Sequence, residues 1–211
     1  MKFKLFLAAL FVFTFHQQLS AQSYRIEYDI VFDEGMEMEP MAKEMLKDMT
    51  MTMAIQDQKT RVDMDMGSMM SMVTVYSSEE KKSVVLMDMM GQKIAQIVEG
   101  QEFEQQIDQQ QDLKVTKTSE SKKIAGYTCY KALVENPEGD GEFEIWFTKD
   151  SHVGGVSNPY MYAGIEGFPL EMVVSQQGMN MRMQALSVST QKMPASDFST
   201  EVPEGYVIRD N

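Results

Sequence analysis

Apolar and polar residues alternate one by one along much of this chain. In Met49–Ile55 the odd positions are apolar and the even ones mostly polar, whereas in Arg61–Met66 apolar even positions alternate with charged ones. The same alternation recurs in Glu142–Phe147 and Met179–Gln184. Successive side chains of a strand point to opposite faces, so this period predicts half-buried antiparallel strands with one apolar face each.

Other segments have the composition of strands without so clear a period. They are Tyr24–Phe32, Met72–Ser77, Ser83–Asp88, Lys93–Val98, Leu113–Thr118, Thr128–Glu135 and Leu170–Ser175. Short polar or glycine-bearing links such as Asp57-Gln58, Glu79–Lys81, Met90–Gln92 and Asn136–Gly141 separate several of them. Links of this length predict hairpins and meanders.

Two segments depart from the strand pattern. Pro40–Asp48 has a proline suited to a first helical turn and an apolar stripe, which predicts a short amphipathic helix. Glu99–Asp112 is glutamine-rich and is either a weak helix or a solvated loop. One or two short helices cannot cover both faces of so long a sheet. We therefore expect a mainly β fold with minor α, in which a curved antiparallel sheet forms an open half-barrel.

Residues 1–21 have the three parts of a secretory signal peptide. Lys2 and Lys4 precede the apolar run Leu5–Phe13, and Ser20-Ala21 supplies small side chains for cleavage. The run is too short to span about 30 Å of hydrocarbon. We expect cleavage before Gln22 and a single exported domain, 22–211, that is periplasmic or extracellular and has no transmembrane segment.

Charge and composition exclude several classes of function. The net charge is −13, and loss of the two lysines of the signal peptide makes it −15. Such a surface repels phosphate, so we expect no nucleic-acid partner. No phosphate-binding glycine loop, Gly-x-Ser-x-Gly elbow or His-Glu-x-x-His pair is present, and we predict no cofactor.

The chain has few residues of the types that serve as catalytic nucleophiles or bases. Cys129 is the only cysteine and lies in a strand-like stretch, which favours a buried small apolar side chain over a reactive thiol. His152 is the only histidine outside the signal peptide and lies in a glycine-bearing loop, typical of an exposed histidine. A Cys–His catalytic pair would require both residues to meet in space with an orienting third group. We predict that the protein is not an enzyme.

Methionine is the unusual feature of the composition, with 22 residues in the chain. The thioethers could serve as soft ligands for Cu(I) or Ag(I), or as flexible apolar side chains that fill or line irregular space. Their alternation with polar residues favours a sheet face over a loose metal-binding run. We therefore predict an apolar ligand-binding face that includes Met51, Met53, Met64, Met66, Phe143, Ile145, Met181 and Met183. No metal site is predicted.

The chain resembles a known group of proteins over most of residues 23–208. The stretches that carry the resemblance are Lys122–Ala132, Glu144–Thr148 and Gly167–Met172, in that order. They resemble a family of uncharacterised secreted bacterial proteins defined as a domain of unknown function, kin to the GLPGLI-type proteins and more distantly to the LolA/LppX lipoprotein carriers. The resemblance implies an open antiparallel half-barrel, whose concave face holds acyl chains in the carriers.

These observations lead to one functional expectation and two alternatives. We expect a protein that binds an apolar ligand, a lipid or a segment of an envelope protein on the methionine-rich face. The first alternative is a periplasmic Cu(I)/Ag(I)-binding protein, and the second is a structural or interaction protein whose concave side is filled by its own chain.

Overall fold

Twelve strands form one sheet in the computed structural model. The structure describes residues 23–32, 49–111, 113–135, 142–150, 165–176 and 179–209. The first six strands are β1 (Ser23–Phe32), β2 (Thr50–Gln56), β3 (Lys59–Asp65), β4 (Met70–Ser77), β5 (Lys82–Met89) and β6 (Gln92–Glu99). The others are β7 (Lys114–Ile124), β8 (Tyr127–Glu135), β9 (Glu142–Thr148), β10 (Phe168–Gln176), β11 (Met179–Gln191) and β12 (Val207–Ile208). Helix α1 spans Gly100–Gln111, and a 3-10 helix spans Ala195–Phe198.

The strand order follows from two meanders and one long-range pairing. Across the sheet the order is β12-β6-β5-β4-β3-β2-β1-β11-β10-β9-β8-β7. Neighbours are antiparallel except for the short parallel pair of β12 and β6. The two edge strands, β12 and β7, do not pair with each other, so the sheet is open.

The predicted fold class is confirmed, and each predicted strand overlaps a strand of the sheet. Of the two interpretations left open for Glu99–Asp112, the helix is the correct one. The predictions for 1–21, Pro40–Asp48 and Asn136–Gly141 fall on residues outside the described ranges.

Several boundaries and one element were wrong in the prediction. β3 ends at Asp65, so Met66 lies just beyond it. β7 and β11 are longer than predicted, and the extension of β7 has polar residues at positions of both parities and shows no period of two. The strand β12 was missed, since two exposed residues carry no periodic signal.

The half of the sheet that contains β7–β11 is strongly curved. β7 and β11 are four positions apart in the strand order. At about 4.8 Å per strand they would lie roughly 19 Å apart in a flat sheet. Their Cα atoms nevertheless approach within 8 Å. These strands therefore bend into an almost complete turn, in agreement with the expected half-barrel.

The register divides the side chains of the sheet into two faces. One face carries the row Met87, Met72, Met64, Met51 and Tyr28, which are cross-strand partners from β5 to β1. We call it the methionine face. The opposite face, here the polar face, carries the charged residues of β1–β6, for example Arg61 and Asp63 on β3.

Each face is partly covered by a different segment. On the methionine face, Phe103 of α1 stacks on Tyr76 with ring centroids 5.1 Å apart. On the polar face, Phe198 of the 3-10 helix packs with Ala54 and Met193, and all three are buried. The Nη1 of Arg61 donates a hydrogen bond of 3.0 Å to the backbone oxygen of Asp197. The C-terminal segment thus crosses the polar face before β12 joins the edge.

Strand β1 offers a matched test of the face assignment. Ile26 is fully buried, whereas Val31 on the same strand is 46% exposed. We expect Ile26→Ala to lower the free energy of unfolding by about 2–5 kcal/mol. Val31→Ala should change it by less than about 0.5 kcal/mol. Denaturant unfolding measures both, and equal losses would contradict the assignment.

Candidate functional site

The register brings most of the predicted ligand-binding residues onto one surface. Met51 and Met64 are direct partners, and Met53 lies two positions from Met51 on the same strand. Two further rows continue the methionine face towards β9, and their members are Ile30, Met183, Met172 and Ile145 in one and Phe32, Met181, Val174 and Phe143 in the other. Only Met66 lies outside the paired strands, beyond the end of β3.

The predicted residues differ in accessibility. Met51 and Ile145 are buried and belong to the core. Met53, Met64, Met181, Met183 and Phe143 are half-buried, as is Met66. Met51, Met53, Met64, Met181 and Met183 belong to one apolar cluster, whereas Phe143 and Ile145 belong to a second. The face is therefore an apolar floor with a buried base and a partly exposed surface.

Several residues of this floor were missed by the sequence analysis. They include Val62, Met72, Val85, Met87 and Met172, all half-buried on the methionine face. The intervening positions of β4 and β5 are also apolar, for example Val75 and Val84, which are buried on the opposite face. With apolar residues on both faces, the period of two disappears, and it could not identify the floor positions there.

The methionine face of β1–β6 is electrically neutral. Every residue that the register places on this face in these six strands is uncharged, and the polar ones are threonine, serine, glutamine and tyrosine. The hydroxyl of Tyr28 donates a hydrogen bond of 3.0 Å to the backbone oxygen of Pro169. Burial raises the pKa of Tyr28, so this hydroxyl remains protonated. The floor suits an uncharged apolar group.

A charged cluster occupies the polar face of β7–β10. Glu171 has a side-chain exposure of only 3% and receives Lys122 Nζ at 2.7 Å and 2.8 Å on its two oxygens. The same Nζ lies 4.2 Å from the centroid of the Trp146 ring. Lys122 comes from the edge strand and reaches past β8 and β9, which requires the curvature described above. The cluster is internally neutralised and fixes the curved strands.

A shallow groove also lies on the polar face. It has a volume of about 390 Å³ and is lined by Arg25, Thr50, Thr52, Arg61, Asp63, Asp65, Met193 and Asp197. Arg61 already binds Asp63 through three contacts of 2.6–3.0 Å. Within the described residues, no group of three or more His, Cys, Asp and Glu side chains could hold a metal ion. The groove is polar and its charged side chains pair with one another, unlike the uncharged methionine face.

Comparison with protein families decides where the chain belongs. A family model described as a domain of unknown function, DUF4412, matches residues 32–154 and 155–206. The chain belongs to the DUF4412 family. The kinship with GLPGLI-type proteins is not shown by these comparisons and stays a prediction. No curated protein matches the sequence.

A solved structure, that of PNGF-II, shares the fold of this DUF4412 chain. PNGF-II in its C2 crystal form is 18% identical with a TM-score of 0.56, and its P21 form is 16% identical with a TM-score of 0.56. The match covers 90% of this chain and 31% of the C2 chain, so the chain spans about a third of that protein. MucB in complex with MucA(peri) is 14% identical with a TM-score of 0.40, over 83% of this chain and 53% of that one. Among the described residues of the DUF4412 chain, no helix is long and apolar enough to cross a membrane.

The interpretation of Cys129 as a buried apolar side chain is confirmed. Its thiol is free and fully buried. Burial raises the pKa of Cys129 to about 11, against the weaker opposing effect of a backbone hydrogen bond to Ile124. His152, which the sequence analysis interpreted as an exposed loop histidine, lies outside the described residues.

We expect the Cys129 thiol to resist alkylation in the native state. At about pH 8 a thiol with so high a pKa is protonated, and its burial blocks access as well. Iodoacetamide labelling followed by mass spectrometry should give unmodified native protein and complete labelling in concentrated guanidinium. Rapid labelling of the folded protein would show that the residue is accessible.

The Lys122–Glu171 pair should contribute to stability far more than an exposed pair on the same strand. Lys114 and Glu135 form the control, 2.8 Å apart and both largely exposed. Lys122→Met leaves buried Glu171 with only Arg182, whose Nε lies 4.0 Å from Oε1, and we expect a loss of about 3 kcal/mol in the free energy of unfolding. Lys114→Met should cost less than about 1 kcal/mol. Urea unfolding compares them, and similar losses would mean that the pair is screened like a surface pair.

Proposed function

We propose that this DUF4412 protein is a non-enzymatic protein of the cell envelope or the medium that binds an acyl chain on its methionine face. The observation that supports the proposal most directly is the half-buried apolar floor across β1–β5. Met53, Val62, Met64, Met72 and Met87 are neighbours on it and are neither sealed in the core nor interrupted by a charge. Extended apolar surfaces of this kind are typical of binding sites.

The dimensions of the floor suit an extended hydrocarbon chain. The row from Tyr28 to Met87 crosses five strands, a distance of about 19 Å at the usual strand spacing. Each methylene that leaves water contributes about 0.8 kcal/mol. Methionine side chains are flexible and can adjust to an apolar ligand whose length or unsaturation varies. The resemblance to lipoprotein carriers supports the same class of ligand, and the predicted signal peptide supports export.

Two other occupants of the floor lead to different outcomes. A segment of an envelope protein would replace the lipid if its apolar side chains matched the floor. The chain itself would replace both if its own residues covered the methionine face. Neither alternative predicts a saturable site for a free fatty acid on the protein as it is isolated.

Lipid extraction and mass spectrometry of natively purified protein is the first experiment. We expect a bound lipid with an acyl chain at a defined stoichiometry. The delipidated protein should then bind a fluorescent fatty acid saturably. The proposal fails if native protein carries no lipid and the delipidated protein shows no saturable binding. Co-purification of a defined protein in place of lipid would support the protein-segment alternative.

A pair of adjacent residues on β4 tests which face binds. Met72 lies on the methionine face and Val73 on the polar face, and both are half-buried. We expect Met72→Glu to weaken fatty-acid binding at least tenfold, about 1.4 kcal/mol, because the carboxylate places a charge against the acyl chain. Val73→Glu should leave the affinity within about twofold, a change of under roughly 0.5 kcal/mol. Fluorescence titration measures both, with thermal unfolding as the check on folding. Equal weakening by the two variants would contradict the assignment.

A further inference from the structure

The two sides of the sheet end in strands of very different charge. Charged side chains on an edge strand disfavour pairing with another chain. β7 is protected in this way, since five of its residues are charged, namely Lys114, Lys117, Glu120, Lys122 and Lys123. On the other side of the sheet, β6 is charged only at Lys93 and Glu99, and Ile94–Val98 between them is uncharged. The backbone edge of β6 therefore lacks the charge protection that β7 has.

The short C-terminal strand β12 covers part of the β6 edge. It pairs with Ile94 and Ala95, and the N–H of Arg209 donates a hydrogen bond of 2.9 Å to the oxygen of Ala95. Among the described residues, no strand pairs with the outer edge of β6 over residues 96–99. Half of the uncharged edge is thus covered and half is open.

The contacts that hold β12 on β6 are weak. Val207 is 63% exposed and Ile208 is 54% exposed, so the pairing removes little apolar surface from water. The pair is parallel, an arrangement slightly less stable per residue than an antiparallel one. Phe198, in contrast, is buried against the polar face and anchors the preceding part of the C-terminal segment. β12 can therefore leave the edge while the rest of this segment stays in place.

The backbone of β6 determines which of its residues can meet a new strand. Ala95 directs its oxygen outward, towards Arg209 of β12. The ladder between β6 and β5 is regular over the whole strand. Because backbone groups alternate in direction along a strand, Lys93, Ile97 and Glu99 direct theirs to the same outer edge as Ala95.

β6 is complementary to itself in one antiparallel register. When Gln96 lies opposite Gln96 of a second copy, Ala95 lies opposite Ile97, and both direct their backbone groups towards the other strand. In the same register Lys93 lies opposite Glu99, so two pairs of opposite charge form about a two-fold axis. A shift of two residues in either direction places both charges opposite uncharged residues.

We propose that β12 is a displaceable cap on the β6 edge, and that its release allows β6 to pair antiparallel with β6 of a second copy of this chain. The hydrogen bonds that β12 makes to β6 are then replaced by a longer antiparallel ladder. β12 is thus an autoinhibitory contact that keeps the protein monomeric. The two-fold axis is perpendicular to the sheet, so the methionine faces of the two copies lie on the same side of the joined sheet.

Two substitutions at Arg209 test the cap. Arg209→Pro removes the N–H that binds Ala95, whereas Arg209→Ala removes only an exposed side chain and keeps this donor. Analytical ultracentrifugation should show a concentration-dependent dimer for Arg209→Pro, and monomers for Arg209→Ala and the unsubstituted chain at the same concentrations. Deletion of residues 207–211 removes β12 itself and should produce the same dimer. Circular dichroism checks that each variant is folded.

Cysteine cross-linking in the Arg209→Pro chain tests the register. Gln96→Cys brings two thiols opposite each other across the two-fold axis, and mild oxidation should give a disulfide-linked dimer. Gln92→Cys on the same strand lies opposite Gly100 of the second copy, so it should stay unlinked. Cys129 is fully buried and does not interfere.

Charge exchange tests the same pairing without a cross-link. In the Arg209→Pro chain, Lys93→Glu places like charges opposite each other, and we expect the dimer to be about fivefold weaker. Addition of Glu99→Lys restores opposite charges and should return the affinity to within about twofold of the Arg209→Pro chain.

Each outcome decides for or against the cap. Dimerisation of Arg209→Pro but not of Arg209→Ala, with cross-linking through Gln96→Cys, supports the proposal. It is overturned if the folded Arg209→Pro chain and the deletion variant both stay monomeric, or if the unsubstituted chain dimerises as strongly as they do. Equal cross-linking through Gln92→Cys, or a dimer indifferent to the charge exchange, rules out the β6 pairing. Acyl binding on the methionine face is a separate property, and its failure would leave these outcomes unchanged.

Discussion

The antiparallel pairing of β1 with β11 is the interaction on which the whole sheet depends. It joins Ser23 near one end of the described chain to Gln191 near the other. β1 pairs with β2 on its other side, so this single strand connects the meander β2–β6 to the strands β7–β11. Without it, the chain would form two smaller sheets, each with an additional open edge. Pairing over such a sequence separation is costly in loop entropy, which suggests slow folding.

Curvature is the second consequence of this arrangement, and irregularities in the ladders accompany it. The register shifts in β1–β11 between Glu27 and Tyr28, in β10–β9 between Pro169 and Glu171, and in β7–β8 between Lys117 and Ser121. Such bulges increase local twist and bend a strand. The bend then allows Lys122 to reach Glu171, and that ion pair in turn holds the curved strands together.

The two faces of the sheet differ in charge and in what covers them. On the polar face the charged side chains pair with one another, and the C-terminal segment packs Phe198 against Ala54. The methionine face is neutral over β1–β6, and its described cover is α1, which packs through Phe103 at one end. The flexible apolar body of methionine suits the proposed acyl-binding floor on this face.

The sequence by itself determined the class of the fold, the positions of β1–β11 and most of the apolar floor. Around Met51 and Met181 one face of the strand is buried and the other is exposed to solvent. There the alternation of apolar and polar residues shows directly which side chains lie on the apolar face. It could not locate Met72 or Met87 in the floor, because the neighbouring residues of β4 and β5 are apolar on both sides. It could not reveal the extension of β7 either, because an edge strand with two solvated faces has no apolar period.

Only the tertiary structure decided the pairing of β1 with β11, the curvature that brings Lys122 to Glu171 and the contact between Met69 and Met90. Each of these joins segments that are distant in the chain, and no local pattern of residues encodes which distant partner a strand or a turn will meet.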